Sequence, residues 1–176
     1  MTSTATGDSV SGTPDRRPGD GLTPAQQQTW LAYMRVHHRL EYEMNHQLLC
    51  DSGLSMGDYT VLTALSQRPG GRARLGVLAS TIGWERSRLS RHLKRMGGRD
   101  LVALTACASD GRATDVVLTE NGRSELDAAA PDHAAWVRSA FFPDLDADRT
   151  RQLREALEIV HESLLRTGTL PRPDQT

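Results

Sequence analysis

A mostly helical chain with a small β component, of the α+β class, is predicted by three features of the sequence. Between Leu75 and Met96 two stretches carry apolar residues at helical spacing, with Gly83 between them. Two short β-prone runs follow, from Leu101 to Ala106 and from Thr114 to Leu118, around a Ser109-Asp110-Gly111 turn. Long amphipathic segments flank this unit, between Thr23 and Leu49 and from Glu120 to Leu164.

The elements follow in order. Residues 1–22 are rich in Ser, Thr, Gly, Pro and Asp and lack the apolar stretch of a signal peptide, so a disordered tail is expected. Residues 23–55 form a helix with two adjacent apolar stripes: Leu31, Met34, Tyr42 and Leu49 beside Tyr33, Val36, Leu40, Met44 and Leu48. That arc is too wide for one packing partner, which predicts a dimerisation helix. Residues 56–118 hold the central unit. Its first apolar helix packs through Leu75, Leu78, Ala79 and Ile82, and the small Ala79 lets a second helix cross closely. In the second helix Leu89, Leu93 and Met96 fall at i, i+4 and i+7, and the opposite arc carries Arg86, Ser87, Arg88, Ser90, Arg91, Lys94 and Arg95. The hairpin sets Arg112 beside its tip, with Asp110 placed to hold the guanidinium or a backbone N–H. Residues 119–166 supply two more dimerisation helices. One runs from Glu120 to about Phe141, with a kink expected at Pro131. The other is capped by Asp146 and repeats Leu153, Leu157, Val160 and Leu164 at i, i+4, i+7 and i+11. Residues 167–176 read as a flexible tail.

Length and composition narrow the class. A chain of 176 residues with 38% hydrophobic content can bury one good core. No apolar run approaches the ~20 residues that span a bilayer, and a cytoplasmic location is expected. Cys50 and Cys107 are too few for a disulfide framework and are read as thiols without an activating neighbour.

Charge is unevenly placed. The whole chain sums to −1, yet residues 72–112 hold nine basic side chains against three acidic ones. A merely solvated helix face mixes signs, whereas concentrated positive charge in an acidic chain is what phosphate binding requires. Lys94 is the single lysine, so arginine is the default cation and its placement carries the information.

The order Leu-Ala-Ser-x-Ile-Gly, then Glu85-Arg-Ser-Arg-Leu-Ser-Arg91, then Asp100-Leu-Val, Asp110-Gly-Arg112 and Val117-Leu-Thr-Glu-Asn-Gly122 resembles the MarR family of winged helix-turn-helix transcriptional regulators. The resemblance covers about Thr23 to Leu165. It implies a homodimer whose terminal helices interlock across a two-fold axis, binding double-stranded DNA at a pseudo-palindromic operator, most often as a repressor. It also implies that Arg86, Ser87, Arg88, Ser90 and Arg91 face the major groove and that Arg112, beside Asp110, enters the minor groove. Lys94 and Arg95 are assigned to the DNA backbone. His92 stands at a helix position that is aliphatic in relatives, and Glu85 is a weaker N-cap than Asp.

Relatives often bind a small aromatic or anionic effector between the dimer helices and the reading head. Trp30, Tyr33, His37, His38 and Tyr59 form the candidate pocket here. No cofactor is expected. Zinc is the alternative, because His38, Tyr42 and His46 share a helix face and His37 pairs with Glu41 at i, i+4. Catalysis is not expected, since no Gly-rich phosphate loop, HExxH pair or Gly-x-Ser-x-Gly elbow occurs. The remaining rival is a winged helix that docks on another protein.

Overall fold

The computed structural model describes residues 21–107 and 110–172, with the side chains of Cys107 and of residues 110–112 outside it. The expected N-terminal tail and the last four residues lie almost wholly outside the described residues. Among the described residues nine α-helices and strands, besides a 3-10 turn at Pro69–Gly71, follow in order: α1 (Pro24–Ser52), α2 (Met56–Ser66), β1 (Arg72–Arg74), α3 (Leu75–Thr81), α4 (Arg86–Gly98), β2 (Val102–Cys107), β3 (Asp110–Leu118), α5 (Glu120–Phe141) and α6 (Ala147–Thr167). Two units are distinguished, Met1–Arg39 and Leu40–Thr176.

In the first unit α1 presents Trp30, Leu31, Tyr33 and Val36 to solvent. Rings on this segment run in series, Trp30 against Tyr33, Tyr33 stacked on His37, and His37 against His38.

The second unit holds the core. Leu54 of the α1–α2 connection and Val61, Leu62 and Leu65 of α2 meet Leu78 of α3, Leu89, Leu93 and Met96 of α4, and Val116 of β3, all at most 1% exposed. Each such side chain is worth about 1.5–3 kcal/mol of burial. The i, i+4, i+7 stripe expected of α4 is therefore buried throughout. His92 joins it, so the buried face of α4 is one residue wider than its apolar pattern.

Helix ends explain the chain reversals. Ser55 caps α2 in a reciprocal box, its hydroxyl accepting from Asp58 N–H while Asp58 Oδ2 accepts from Ser55 N–H. After α3, Gly83 adopts φ +70°, a region that costs other residues dearly. Trp84 N–H donates to Ala79 O at 2.9 Å and Gly83 N–H to Ser80 O at 3.4 Å, the paired bonds of a Schellman stop. Thr119 caps α5 by accepting from Gly122 N–H, and its hydroxyl donates to Asp100 O. A Cβ at Gly122 would overlap the Leu101 carbonyl. The Leu-Thr-Glu-x-Gly motif thus encodes a cap and a close approach of α5 to the α4–β2 turn.

The sheet has the order β1-β3-β2, antiparallel throughout. β1 was not expected; it pairs Arg72 with Val117 and Arg74 with Asp115. The hairpin was expected, but its turn is displaced. A register irregularity after Ala106 pairs Cys107 with Asp110, so Asp110, Gly111 and Arg112 belong to β3 and not to the tip. α5 runs through Pro131 as one helix. Asp146 caps α6 as expected, accepting from Arg149 N–H at 2.8 Å. No residue of α6 is buried, and Leu157, Val160 and Leu164 are exposed.

Candidate nucleic-acid interface

The outer face of α4 is built by what its inner face buries. With Leu89, His92, Leu93 and Met96 turned inward, Arg86, Ser87, Arg88, Arg91, Lys94 and Arg95 are exposed, as expected, and Ser90 is half-buried at the edge. The N-cap Glu85 makes no side-chain cap bond. The first N–H groups of α4 therefore lack a side-chain acceptor, which suits an anion at that end.

The three leading arginines differ in their surroundings. The Arg86 guanidinium lies against α3 at Gly76, where a Cβ would collide with it. Arg88 places its Cζ 4.1 Å from the centroid of the Trp84 ring. Arg91 extends into solvent. Below them, Arg95 Nη2 donates to His92 Nδ1 at 2.8 Å. That bond requires Nδ1 to be an acceptor, which puts the ring proton on Nε2. His92 Nε2 then approaches Asp58 Oδ1 at 2.9 Å, off the line of its N–H. Arg99 completes the cluster, donating from Nη1 to Asp58 Oδ2 at 2.9 Å and from Nη2 to Gly53 O at 3.0 Å.

Burial pushes the Asp58 carboxyl up, but the N–H pole of His92 and the backbone and hydroxyl donors of Ser55 outweigh it. Together they hold Asp58 well below the usual carboxylate range. This network joins the start of α2 to the basic face of α4. It was not legible in the sequence, because Asp58, His92 and Arg99 are linked by no local spacing. The departure at His92 was its one visible trace.

On the hairpin, the backbone of Asp110 and Arg112 lies in β3, and their side chains fall outside the described residues. Arg72 pairs with Asp115 at 3.4 Å on the same sheet.

The candidate pocket residues divide between the two units. Trp30, Tyr33, His37 and His38 belong to the first. Tyr59 belongs to the second, where its ring sits 4.6 Å from that of His133. His133 Nδ1 is 2.8 Å from Gln47 Oε1, and Gln47 Nε2 donates to Asp51 at 3.0 Å. Burial lowers the His133 pKa and raises that of Tyr59, each away from the charged form. Beside this cluster α1 and α5 flank a partly open cleft of about 270 Å³ lined by Gln47, Asp51, Ser52, Glu125, Ala128, Ala129 and Asp132. Among the described residues no group of three or more His, Cys, Asp or Glu side chains is arranged to hold a metal ion. Cys50 is exposed, with its Sγ 3.8 Å from His46 Nε2 one helical turn earlier.

Neither a protein-family model nor a curated protein sequence matches the chain. Solved structures do. The chain is similar to AbsC, a MarR family transcriptional regulator from Streptomyces coelicolor, at 35% identity and a TM-score of 0.76, over 82% of this chain and 97% of that one. It is similar to Sco3205, a MarR family transcriptional regulator from the same organism solved in complex with DNA, at 32% identity and a TM-score of 0.82, over 89% and 99% of the two chains. It is also similar to the M. tuberculosis transcriptional regulator MOSR in complex with DNA, at 27% identity and a TM-score of 0.61, over 76% and 96%.

Proposed function

The chain belongs to the MarR family of transcriptional regulators, and from that premise we propose that it binds a pseudo-palindromic operator as a homodimer, represses from it and is released by a small effector. One observation carries the reading: α4 buries its whole apolar face and turns Arg86, Ser87, Arg88, Arg91, Lys94 and Arg95 outward together. Guanidinium groups there reach guanine O6 and N7 or phosphates, and Ser87 and Ser90 bond either. Lys94 and Arg95 lie farther along the helix and take the backbone. Asp110 and Arg112 of β3 serve the adjacent minor groove, where negative potential is greatest.

Dimerisation follows from surface that one chain leaves uncovered. Trp30 is 53% exposed, Val36 52%, Val160 55% and Leu164 61%, which are costly exposures on helices with polar opposite faces. A two-fold partner covers both sets and sets two recognition helices roughly 34 Å apart.

An effector acts only by binding two separations of those helices with different affinity. The cleft between α1 and α5 supports such a ligand. Its Asp51, Glu125 and Asp132 carboxylates disfavour the anionic compounds expected from the resemblance. A cytoplasmic location accompanies this reading.

Selection of bound duplexes from a random pool tests it. Enrichment of a two-fold sequence with half-sites about 10 base pairs apart is expected. A pool that stays random after several rounds contradicts sequence-specific binding.

A further inference from the structure

Trp84 occupies the turn between α3 and α4, half-buried, and takes no part in the apolar stripe of either helix. The ring of His92 meets its ring edge-on, with centroids 5.2 Å apart and planes at 89°. His92 is itself pinned between Asp58 and Arg95. At this same junction α2 leaves room for both rings only because residue 57 is glycine. A Cβ there would stand 2.9 Å from His92 Cε1 and 3.0 Å from Trp84 Cη2. Above this fixed ring lies Arg88, its Cζ 4.1 Å from the centroid.

We propose that Trp84 is a positioning residue for sequence reading: it holds Arg88 in the orientation from which that side chain, rather than Arg86, recognises a base. The inference rests on the DNA-binding function proposed above and adds the residue that sets its specificity. A guanidinium donates through its edges, so a ring contact at Cζ occupies the face and leaves the paired N–H groups available for guanine O6 and N7. Free arginine samples many rotamers, and ordering it on binding weakens the complex. The Trp84 contact imposes that order beforehand. Arg86, resting against α3 at Gly76, must leave its support to reach a base edge. Among the described residues no ring lies beneath Arg91, which carries no comparable restraint.

The test uses the full chain and a duplex selected by the wild type, with Trp84→Leu, Trp84→Phe, Arg88→Ala and the Trp84→Leu/Arg88→Ala double variant. Binding is read by fluorescence anisotropy at one salt concentration, on the selected duplex, on its single-base variants and on a random duplex. Trp84→Leu is expected to weaken the selected duplex by about 3- to 10-fold per half-site, the scale of one rotamer-rich side chain losing its pre-ordering. It is expected to leave the random duplex within about 2-fold, since phosphate contacts dominate there. Trp84→Phe keeps a ring face and restores most of the loss. The preference relaxes at the same base pair in Trp84→Leu and in Arg88→Ala, and the double variant is no weaker than Arg88→Ala alone.

Three results overturn the proposal: additive losses in the double variant, equal losses on selected and random duplexes, or binding by Trp84→Leu as tight as the wild type or tighter. The last would mean that the ring holds Arg88 back. Should Trp84→Leu fail to fold, Trp84→Met, alone and combined with Arg88→Ala, takes its place in every comparison, with the same results expected and the same three overturning the proposal. A wild type that selects no duplex removes the DNA-binding function itself, an outcome distinct from any of these.

Discussion

Asp58→Asn is the perturbation whose size the structure sets most directly. The carboxylate accepts from Ser55 N–H at 3.0 Å, stands 2.9 Å from His92 Nε2 and accepts from Arg99 Nη1 at 2.9 Å, with its own side chain 7% exposed. An asparagine has one acceptor oxygen for these donors, so its NH₂ must face another N–H. The His92 contact lies off the line of its N–H and is worth about 0.5–1.5 kcal/mol, and leaving a donor facing a donor costs about 1–3 kcal/mol. The Arg99 side chain is 46% exposed, so its share is no more than about 1 kcal/mol. A total of about 2–5 kcal/mol is expected, its upper end comparable to breaking other buried ion pairs. Urea unfolding followed by circular dichroism measures it. The pH dependence is a second check. Because the folded Asp58 pKa is depressed, its stabilisation is complete above the ordinary value near 3.8 and declines only as pH falls below it. The gap between wild type and Asp58→Asn should therefore stay level from pH 8 to about 5 and shrink below about 4. A loss under about 1 kcal/mol at pH 7, or a gap that closes between pH 7 and 5, refutes the network.

Other consequences can be measured independently. Gly122→Ala forces a Cβ into the Leu101 carbonyl and should cost about 2–3 kcal/mol in the same unfolding assay, where an unchanged midpoint would show that α5 relaxes freely. Burial lowers the His133 pKa from its ordinary 6.5, so the unfolded chain binds a proton that the native one refuses, and stability falls as pH drops below that value. His133→Gln should flatten the change in melting temperature between pH 7 and 5, and an identical slope in both proteins would remove His133 as its source. Leu157→Asp combined with Leu164→Asp puts charges on the exposed α6 stripe and should halve the mass seen by light scattering while leaving the circular dichroism of the monomer intact. An unchanged mass would place any interface elsewhere.

The parts of the fold that the sequence disclosed are those with a period or a cap. Leu89, Leu93 and Met96 announce the buried face of α4, the two short β-prone runs announce β2 and β3, and Asp146 marks the start of α6. β1 escaped because Arg72-Ala73-Arg74 has too few residues to show a period, and only its pairing with β3 makes it a strand. The hairpin turn was misplaced because an irregular register after Ala106 leaves no mark in composition. Of the interface, the exposed arginines were legible as an arc opposite the apolar stripe. Their supports were legible only in part: Trp84 under Arg88 and His92 beside Arg95 are local neighbours at i, i+4 and i, i+3, whereas Gly76 under Arg86 and Gly57 against Trp84 and His92 depend on how α2, α3 and α4 cross. His92 looked like a misplaced polar residue in an aliphatic stripe. It is the link between the capping box of α2 and the basic face of α4.

The salt dependence of binding to a selected duplex tests the basic face of α4 most directly. With six or more phosphates neutralised by the paired arginines and lysines, affinity should fall by roughly 10³ or more between about 50 and 200 mM salt, linearly in log–log form. An affinity that stays level across that range would mean that the partner is held by apolar contact, and that the arginines of α4 do not engage nucleic acid.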